Sequence, residues 1–377
     1  MARRLIQVAP GVNPGDAITN EIRIIDRYFR SPPFHDLFVD TAVFAEHIHA
    51  SLADFAQPAH RYRPLPGDFV LYHYGIAARI TEQVRLWHGV SKALIYHNIT
   101  PAEYYRPYSL YVAARLERAR RDLRGLRDCF DLVFADSRFN GAELAALGYQ
   151  NVRLLPVLFE NGLIPRDRVN GGNRDDGAAG AEASPRESDS ARNLRILFVG
   201  RIAPNKGHAD LIKIFYYIRR QEPRARLILA GEVGAHSESY REELERLVRG
   251  LDLSDSVEFT GFVSDERLAE LYGVSDVFLS ASAHEGFCVP LLEAMRSDLP
   301  VVAYASPHSA VGETMSEAGV VFRRMEHPAV AELVLRLLYD ADLRQSIVIG
   351  QRERVGAHDN RRIFERNLYA PLREVVE

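Results

Sequence analysis

Short, fully apolar segments alternate with amphipathic segments along most of the chain. Segments that are apolar at nearly every position predict buried strands, and apolar residues that recur every three or four positions predict helices. In the first half, strands are predicted at Leu5–Ala9, Phe69–Tyr72, Ala93–Tyr96, Leu132–Ala135 and Val152–Leu155. Helices are predicted between them at Ala17–Phe29, Ala77–Leu86, Tyr108–Leu126 and Phe139–Leu147.

The second half repeats the same alternation. Its strands are predicted at Arg195–Val199, Arg226–Ala230, Val257–Thr260, Val277–Leu279, Val301–Ala303 and Val320–Phe322. Its helices are predicted at Ala209–Arg220, Tyr240–Gly250, Asp265–Leu271, Pro290–Arg296 and Ala329–Tyr339. Apolar strands separated by helices are typical of parallel sheets covered on both faces. The pattern therefore predicts an α/β chain with two doubly wound domains, in which ligands bind beyond the carboxyl ends of the strands.

Residues 165–193 interrupt the alternation. This segment is rich in Gly, Ala, Ser, Asp and Arg, and Val169 is its only large apolar residue. Because it buries too little apolar surface to offset the entropy lost on ordering, we predict a flexible linker or surface insertion. The expected division is a first domain at residues 1–160, a linker at 161–193 and a second domain at 194–360.

The composition narrows the class of protein. A net charge of −4 with 47% hydrophobic and 26% charged residues fits a globular chain and argues against a general nucleic-acid binder. With only Cys129 and Cys288, a reduced cytoplasmic chain is favoured over a disulfide framework. The apolar runs fall short of the ~20 residues that span a bilayer, and Met1–Pro10 is predicted to be a first strand rather than a signal peptide.

Two cations flank the loop after the predicted strand Arg195–Val199. Arg201 and Lys206 lie in Gly200-Arg201-Ile202-Ala203-Pro204-Asn205-Lys206-Gly207, just before a predicted helix. A helix start favours anions, and the arginine fork and lysine ammonium suit two linked phosphates. The alternative is that both cations are solvated surface residues. The glycine spacing and ending of a Walker loop are missing.

A second group of polar residues follows the strand Val277–Leu279. Glu285 lies in the loop, and Glu293 lies eight residues further on, beyond Pro290, which suits a first helical turn. The two carboxylates can accept hydrogen bonds from sugar hydroxyls, while the amides of residues 286–289 can bind phosphate oxygens. Alternatively, Glu293 is a carboxylate favoured by the helix dipole and Glu285 a solvated loop acid.

Together these residues resemble the donor-binding half of the family 4 retaining glycosyltransferases of the GT-B fold, the group 1 glycosyl transferases. The resemblance rests on Gly200-Arg201, Lys206-Gly207 and Glu285-Gly286-Phe287 with Glu293, and covers roughly residues 194–340. It implies two Rossmann-like domains that face each other across a cleft binding a nucleotide-diphosphate sugar. It also implies that a segment of about residues 361–377 packs back onto the first domain.

The resemblance assigns roles residue by residue. Arg201, Lys206 and Gly15 would bind the donor diphosphate, and Glu285 and His97 would be catalytic. The donor sugar and ribose would contact Glu285, Gly286, Phe287, Cys288, Val289 and Glu293.

The first half resembles the family more loosely. Asp16 and His73 would line the acceptor cleft. Gly15 and Asp16 lie in the loop after the first strand, and His73 and His97 each follow a later predicted strand. The alternatives are a plain strand–helix turn for that loop and structural hydrogen bonding for His73, His97 and His284.

The implied activity is retaining, metal-independent transfer of a hexose-type sugar to a hydroxyl of a glycan or lipid-linked acceptor. GDP-mannose and UDP-glucose are candidate donors, and no cofactor or metal is expected because no Asp-x-Asp motif follows a predicted strand. A GT-B phosphorylase or epimerase is an enzymatic alternative. A non-catalytic protein that binds sugar nucleotides or glycans is an alternative of another class.

A basic stretch runs from Arg106 to Arg127, with seven arginines against Glu117 and Asp122. A solvated helix face is one interpretation. The other is contact with anionic headgroups or with the diphosphate of a lipid-linked acceptor. Because bacterial members of the family often use such acceptors, the resemblance implies a cytoplasmic role in polysaccharide biosynthesis. It is also compatible with peripheral attachment at the inner face of the membrane.

Overall fold

The computed structural model describes residues 3–159, 193–234 and 236–377, and these residues form two parallel sheets. Each sheet has its own core and is covered by helices on both faces. This is the predicted pair of doubly wound α/β domains. The linker predicted at residues 161–193 lies outside the described residues except for Asn193.

The first sheet has the order β3-β2-β1-β4-β5-β6-β7. Its strands are β1 (Arg4–Val12), β2 (Asp40–Ile48), β3 (Gln57–Pro58), β4 (Phe69–Tyr74), β5 (Ser91–Tyr96), β6 (Leu132–Ala135) and β7 (Arg153–Leu154). Its helices are α1 (Ala17–Phe29), α2 (Ile80–Leu86), α3 (Leu110–Gly125) and α4 (Arg138–Ala146). The strand order reverses between β1 and β4, so the loops after these two strands border a crevice of the kind that binds ligands.

The second sheet has the order β10-β9-β8-β11-β12-β13. Its strands are β8 (Arg195–Val199), β9 (Arg226–Ala230), β10 (Val257–Gly261), β11 (Val277–Ser280), β12 (Val301–Tyr304) and β13 (Val320–Phe322). Its helices are α5 (His208–Gln221), α6 (Glu238–Gly250), α7 (Asp265–Val274), α8 (Val289–Arg296), α9 (Val311–Met315), α10 (His327–Tyr339) and α11 (Ala341–Gly356). Here the order reverses between β8 and β11, whose loops carry the two candidate motifs.

Strands β2 and β3 were not predicted from the sequence pattern. Strand β2 begins with Asp40 and Thr41 and ends near Glu46 and His47, so only its centre is apolar. It nevertheless pairs in parallel with β1 over most of its length, from Arg4–Asp40 to Val12–Ile48. Pairing with a buried neighbour therefore outweighs the polar ends of the strand.

The chain passes between the domains just after β7. Leu155 and Leu158 pack in the core of the first domain, whereas Val157 and Phe159 pack in the core of the second. This short stretch therefore contributes to both cores.

A second passage runs beside the first and returns the chain to the first domain. His358 Nε2 donates to the carbonyl oxygen of Val157 at 3.0 Å, and Asn360 Nδ2 donates to that of Phe159 at 2.6 Å. The chain then forms α12 (Asn360–Ile363), a π-helical segment (Phe364–Tyr369) and α13 (Ala370–Val376). Their buried apolar residues join the core of the first domain, namely Phe364, Leu368, Leu372 and Val376.

Candidate active site

The loop after β8 packs tightly against the segment after β11. Gly207 has a left-handed φ of 70°, and a Cβ built on it would lie 2.1 Å from the carbonyl oxygen of Ala281. Only glycine fits both the backbone conformation and the close approach. The contact fixes Lys206, at the end of a 3₁₀ turn, beside the loop that carries Glu285.

Lys206 and Glu285 form a two-pronged ion pair. Lys206 Nζ lies 2.8 Å from each carboxylate oxygen of Glu285, and Glu285 is only 8% exposed. The neighbouring Asn205 Nδ2 donates to the carbonyl oxygen of His284 at 3.1 Å. Two motifs that lie about 80 residues apart in sequence therefore meet at the reversal point of the second sheet. Of the predicted site residues, these two are in the most direct contact.

The loop after Glu285 offers backbone donors. No described residue accepts a hydrogen bond from the amides of Gly286, Phe287 or Cys288. Cys288 adopts a left-handed φ of 75°, which is uncommon for a residue with a Cβ and is typical of functional turns. The loop leads directly into α8, so its donors lie at a helix start, where anions are favoured.

The same loop touches the first domain. A Cβ built on Gly286 would lie 2.7 Å from Cβ of Asn98 and 3.0 Å from Nδ2 of Asn140, so glycine is needed for this approach. His284 Nε2 lies 2.6 Å from Oδ1 of Asn98, and Asn98 Nδ2 donates to Asn140 Oδ1 at 2.7 Å. Neither asparagine was predicted from the sequence. Their positions just after β5 and near the start of α4 were the available signal.

Glu293 and Arg201 are placed differently from the ion pair. Tyr272 Oη donates to Glu293 Oε2 at 2.9 Å. Burial raises the pKa of the Glu293 carboxyl, and the hydrogen bond from Tyr272 opposes that rise. Arg201 is exposed, and its guanidinium has no hydrogen-bond or ion-pair partner in the described part of the chain. Neither residue contacts the Lys206–Glu285 pair in this structure by a hydrogen bond or salt bridge.

The two predicted histidines of the first domain lie in one buried hydrogen-bonded chain. Gln7 Nε2 donates to the carbonyl oxygen of Ile22 at 3.0 Å, so its Oε1 accepts from His73 Nε2 at 3.1 Å. His73 Nδ1 therefore accepts from His97 Nε2 at 2.9 Å. The other ring nitrogen of His97 faces Asp136 Oδ2 at 3.3 Å, which fixes both nitrogens of His97 as donors.

The electrostatics agree with a charged His97 imidazolium. Burial alone would lower the pKa of His97, but the carboxylates of Asp136 and Glu21 outweigh it and raise the pKa to about 9. Burial lowers the pKa of His73 well below its usual value, and the charge on His97 adds to this effect. His97 is thus placed to supply positive charge rather than to act as a general base at neutral pH.

Glu21 completes this buried group. Its Oε1 accepts from the amide of Leu158 at 2.9 Å, and its Oε2 lies 3.7 Å from His97 Nδ1. Burial raises the pKa of the Glu21 carboxyl. Glu21, His73 and His97 offer ligand atoms within 4.8 Å of one another, close enough for one metal ion. In the structure, the ring nitrogens of both histidines are already engaged in the hydrogen-bonded chain.

These shifts predict a pH dependence of stability. His97 has a raised pKa in the folded state, so its contribution is fully present below pH ~6.5 and is lost as the pH rises through about 9. The raised pKa of Glu21 acts in the same direction. We expect the first domain to lose about 1–3 kcal/mol between pH 6.5 and 9. The fluorescence of Trp87, the one tryptophan of the sequence, reports this unfolding in urea.

The variant His97→Gln should flatten this pH profile, whereas His60→Gln, at an exposed position, should leave it unchanged. A His97→Gln protein with the steep profile of the wild type would show that His97 does not carry the buried charge.

The loop after β1 faces the second domain. A Cβ built on Gly15 would lie 3.4 Å from Cε2 of Phe262, an exposed residue that follows β10. Asp16 caps helix α1 by accepting the amide hydrogen of Thr19 at 3.2 Å. The loop therefore lies at the boundary of the two domains, where Asp16 also contributes negative potential to His97.

Most arginines of the basic stretch have partners within the protein. Arg115 donates to the carbonyl oxygen of Ala77 at 3.0 Å, and four others form ion pairs, namely Arg106 with Glu117, Arg118 with Asp122, Arg120 with Glu143 and Arg127 with Asp128. Arg121 and Arg124 are exposed and have no partner among the described residues. None of the described helices has both the length and the apolarity needed to cross a membrane.

Comparison with known sequences identifies the second domain. Residues 182–354 match the family model described as "Glycosyl transferases group 1". The second domain is thus similar to the group 1 glycosyl transferases. A segment of 112 residues is 39% identical to mannosylfructose-phosphate synthase from Agrobacterium fabrum, covering 28% of this chain. That alignment spans only 24% of the relative's own length.

Solved structures resemble the chain over nearly its whole length. A sucrose-phosphate synthase from Thermosynechococcus elongatus superposes with a TM-score of 0.72 at 19% identity, covering 99% of this chain and all of the other. Anabaena HepE in complex with UDP-glucose gives a TM-score of 0.66 at 17% identity over 99% of this chain and 98% of the other. The overall fold is therefore GT-B, as the resemblance implied.

Proposed function

We propose that this chain is a retaining hexosyltransferase that moves a sugar from a nucleotide-diphosphate donor to a hydroxyl of a glycan or lipid-linked acceptor. The observation that carries the proposal is the Lys206–Glu285 pair at the strand-order reversal of a group 1 glycosyl transferase domain. A cation and a carboxylate in contact, beside free backbone amides, suit a ligand that joins phosphate to a sugar.

Lys206 and the free amides of residues 286–288 would stabilise the negative charge that develops on the departing diphosphate. Arg201, exposed and unpaired among the described residues, would turn onto the second phosphate. When the donor binds, Glu285 would leave its ion pair with Lys206 and contact the sugar. Glu293, held by Tyr272, would accept hydrogen bonds from the ribose. Gly15 would approach the phosphates from the opposite side of the cleft.

We assign retention to substitution on the same face of the sugar, assisted by the leaving phosphate. Because Glu285 is assigned to the transferred sugar and Glu293 to the ribose, the two carboxylates would not form the acid–nucleophile pair of a hydrolase. The charged His97 would add positive potential near the diphosphate, while His73 and Asp16 would shape the acceptor side. No step requires a metal or a cofactor.

A thermal-shift screen with GDP-mannose, UDP-glucose and related donors tests the proposal first. The best donor is then incubated with free and lipid-linked glycans, with and without EDTA, and the anomeric configuration of the product is read by NMR. We expect transfer with retention that EDTA does not affect. Formation of sugar phosphate from inorganic phosphate would favour a phosphorylase, and a changed sugar epimer would favour an epimerase. Donor binding without any turnover would favour a binding protein.

Attachment of helix α3 to an anionic membrane stays a prediction. Arg121 and Arg124 are the exposed cations of this helix without described partners, so they would carry it. Vesicle flotation with and without phosphatidylserine, comparing the wild type with an Arg121→Glu/Arg124→Glu variant, measures the attachment and the cytoplasmic, peripheral location that it implies.

A further inference from the structure

Glu313 joins the two domains at a helix start. It lies on α9 of the second domain, and each of its carboxylate oxygens accepts the amide hydrogen of Arg138 at 2.9 Å. Its Oε2 also accepts from the amide of Phe139 at 3.3 Å. These amides open helix α4 of the first domain. Helix starts carry unsatisfied amides and a partial positive charge, so a carboxylate from the other domain satisfies both.

A second bond crosses the domains next to the first. Ser137, the N-cap of α4, accepts from the amide of Asn140 at 3.1 Å and donates its hydroxyl to the carbonyl oxygen of Gly286 at 2.7 Å. We call Ser137, the first amides of α4 and Glu313 the interdomain clasp. One helix start of the first domain thus contacts both the loop of Glu285 and the helix α9.

Helix α9 is in turn bonded to the loop of Glu285. The amide of Ala310, just before α9, donates to the carbonyl oxygen of Glu285 at 2.9 Å. The hydroxyl of Thr314 donates to the carbonyl oxygen of Phe287. The carbonyl oxygens of residues 285, 286 and 287 are therefore held alternately by α9, by the first domain and by α9 again.

We propose that Glu313 is a positioning residue for the transfer reaction. Its docking on α4 fixes α9, and through α9 the loop that carries Glu285, in register with the first domain. The clasp closes the cleft over the donor sugar, which places the acceptor side against it and excludes water. This inference rests on the proposed function. It concerns a residue whose carboxylate bonds to the amides of α4 and to neither Lys206 nor Glu285.

Two substitutions break the clasp from opposite sides. Glu313→Ala removes the acceptor, and Arg138→Pro removes one donated amide hydrogen. Proline is favoured at the first position of a helix, and Ser137 already has the extended backbone (φ −147°, ψ 164°) that a following proline requires. Matched controls are Glu317→Ala, at an exposed acid four residues from Glu313, and Arg138→Ala, which keeps the amide.

Both clasp variants should lower kcat for transfer about 10- to 100-fold, in keeping with the loss of a charge-assisted hydrogen bond. They should raise the share of donor that is hydrolysed and leave the nucleoside-diphosphate Kd within about twofold. Hydrogen exchange should speed up at the start of α4 and at Ala310, whose amide donates to the carbonyl oxygen of Glu285. The double variant should be little worse than either single one, because both remove one contact.

Wild-type kcat and wild-type exchange in Glu313→Ala and Arg138→Pro would overturn the inference. A loss confined to Glu313→Ala, with Arg138→Pro unaffected, would also overturn it, since the clasp requires both sides. If the wild type transfers no sugar from any donor, the proposed function fails instead, and the exchange at α4 and Ala310 alone decides whether the clasp holds the loop of Glu285.

Discussion

Replacing Glu285 by glutamine is expected to lower kcat for sugar transfer about 100- to 1,000-fold, which is the scale of removing one preorganised electrostatic group. As the bond to the diphosphate breaks, the sugar gains positive charge. Glu285 is 8% exposed, so its carboxylate acts with little screening by solvent. Glutamine keeps the shape of the side chain but removes that charge.

The same substitution should leave the affinity for the nucleoside diphosphate unchanged or improve it. In the structure, both carboxylate oxygens of Glu285 contact the ammonium of Lys206. A neutral glutamine would weaken this contact and free the ammonium for phosphate. Transfer rates by product chromatography and Kd by calorimetry separate the two effects, with Glu317→Gln as a matched exposed control. A Glu285→Gln enzyme within about fivefold of wild-type kcat would remove Glu285 from the catalytic role.

Replacing Lys206 by alanine is expected to weaken nucleoside-diphosphate binding about 10- to 100-fold, the scale of one or two charge-assisted hydrogen bonds. Gly207 packs against the carbonyl oxygen of Ala281 and so holds the loop that carries Lys206 in this position. The substitution also leaves the buried Glu285 carboxylate without its cation, and this repels an incoming phosphate.

Calorimetric titration with UDP and GDP at low and moderate salt measures the effect of Lys206→Ala. Lys213→Ala, at an exposed position on the same helix α5 that follows the loop, is the matched control and should bind like the wild type. The difference between the two variants should shrink as salt rises, because the missing contribution is electrostatic. An unchanged Kd for Lys206→Ala would exclude the lysine from the diphosphate site.

The pattern predicted the strands of the second domain closely because most of them are apolar at nearly every position. The bounds of β8 and β9 coincide with the predicted segments Arg195–Val199 and Arg226–Ala230. Strand β2 could not be recognised in the same way, because its ends are polar. It forms nevertheless, since pairing with β1 stabilises it. Helix α11 was missed as well, because its apolar positions form only a weak stripe and few of them are buried.

The part of the candidate site that depends only on strand order could be predicted from the sequence. The rule that ligands bind at the ends of parallel strands places Lys206 and Glu285 together without any coordinates. Ser137 and Glu313 were beyond reach, because their contacts depend on how one domain is oriented against the other. The charge on His97 was also hidden, since it follows from Asp136 and Glu21 in three dimensions.

The two chain passages between the domains have a mechanical consequence. They lie side by side and are bonded to each other through His358 and Asn360, so together they define a single hinge axis. Rotation about that line keeps both bonds, whereas sliding or twisting one domain past the other would break them and pull Phe159 out of its core. The cleft would therefore open and shut along one angular coordinate, and each shutting would return α9 to the same place on α4.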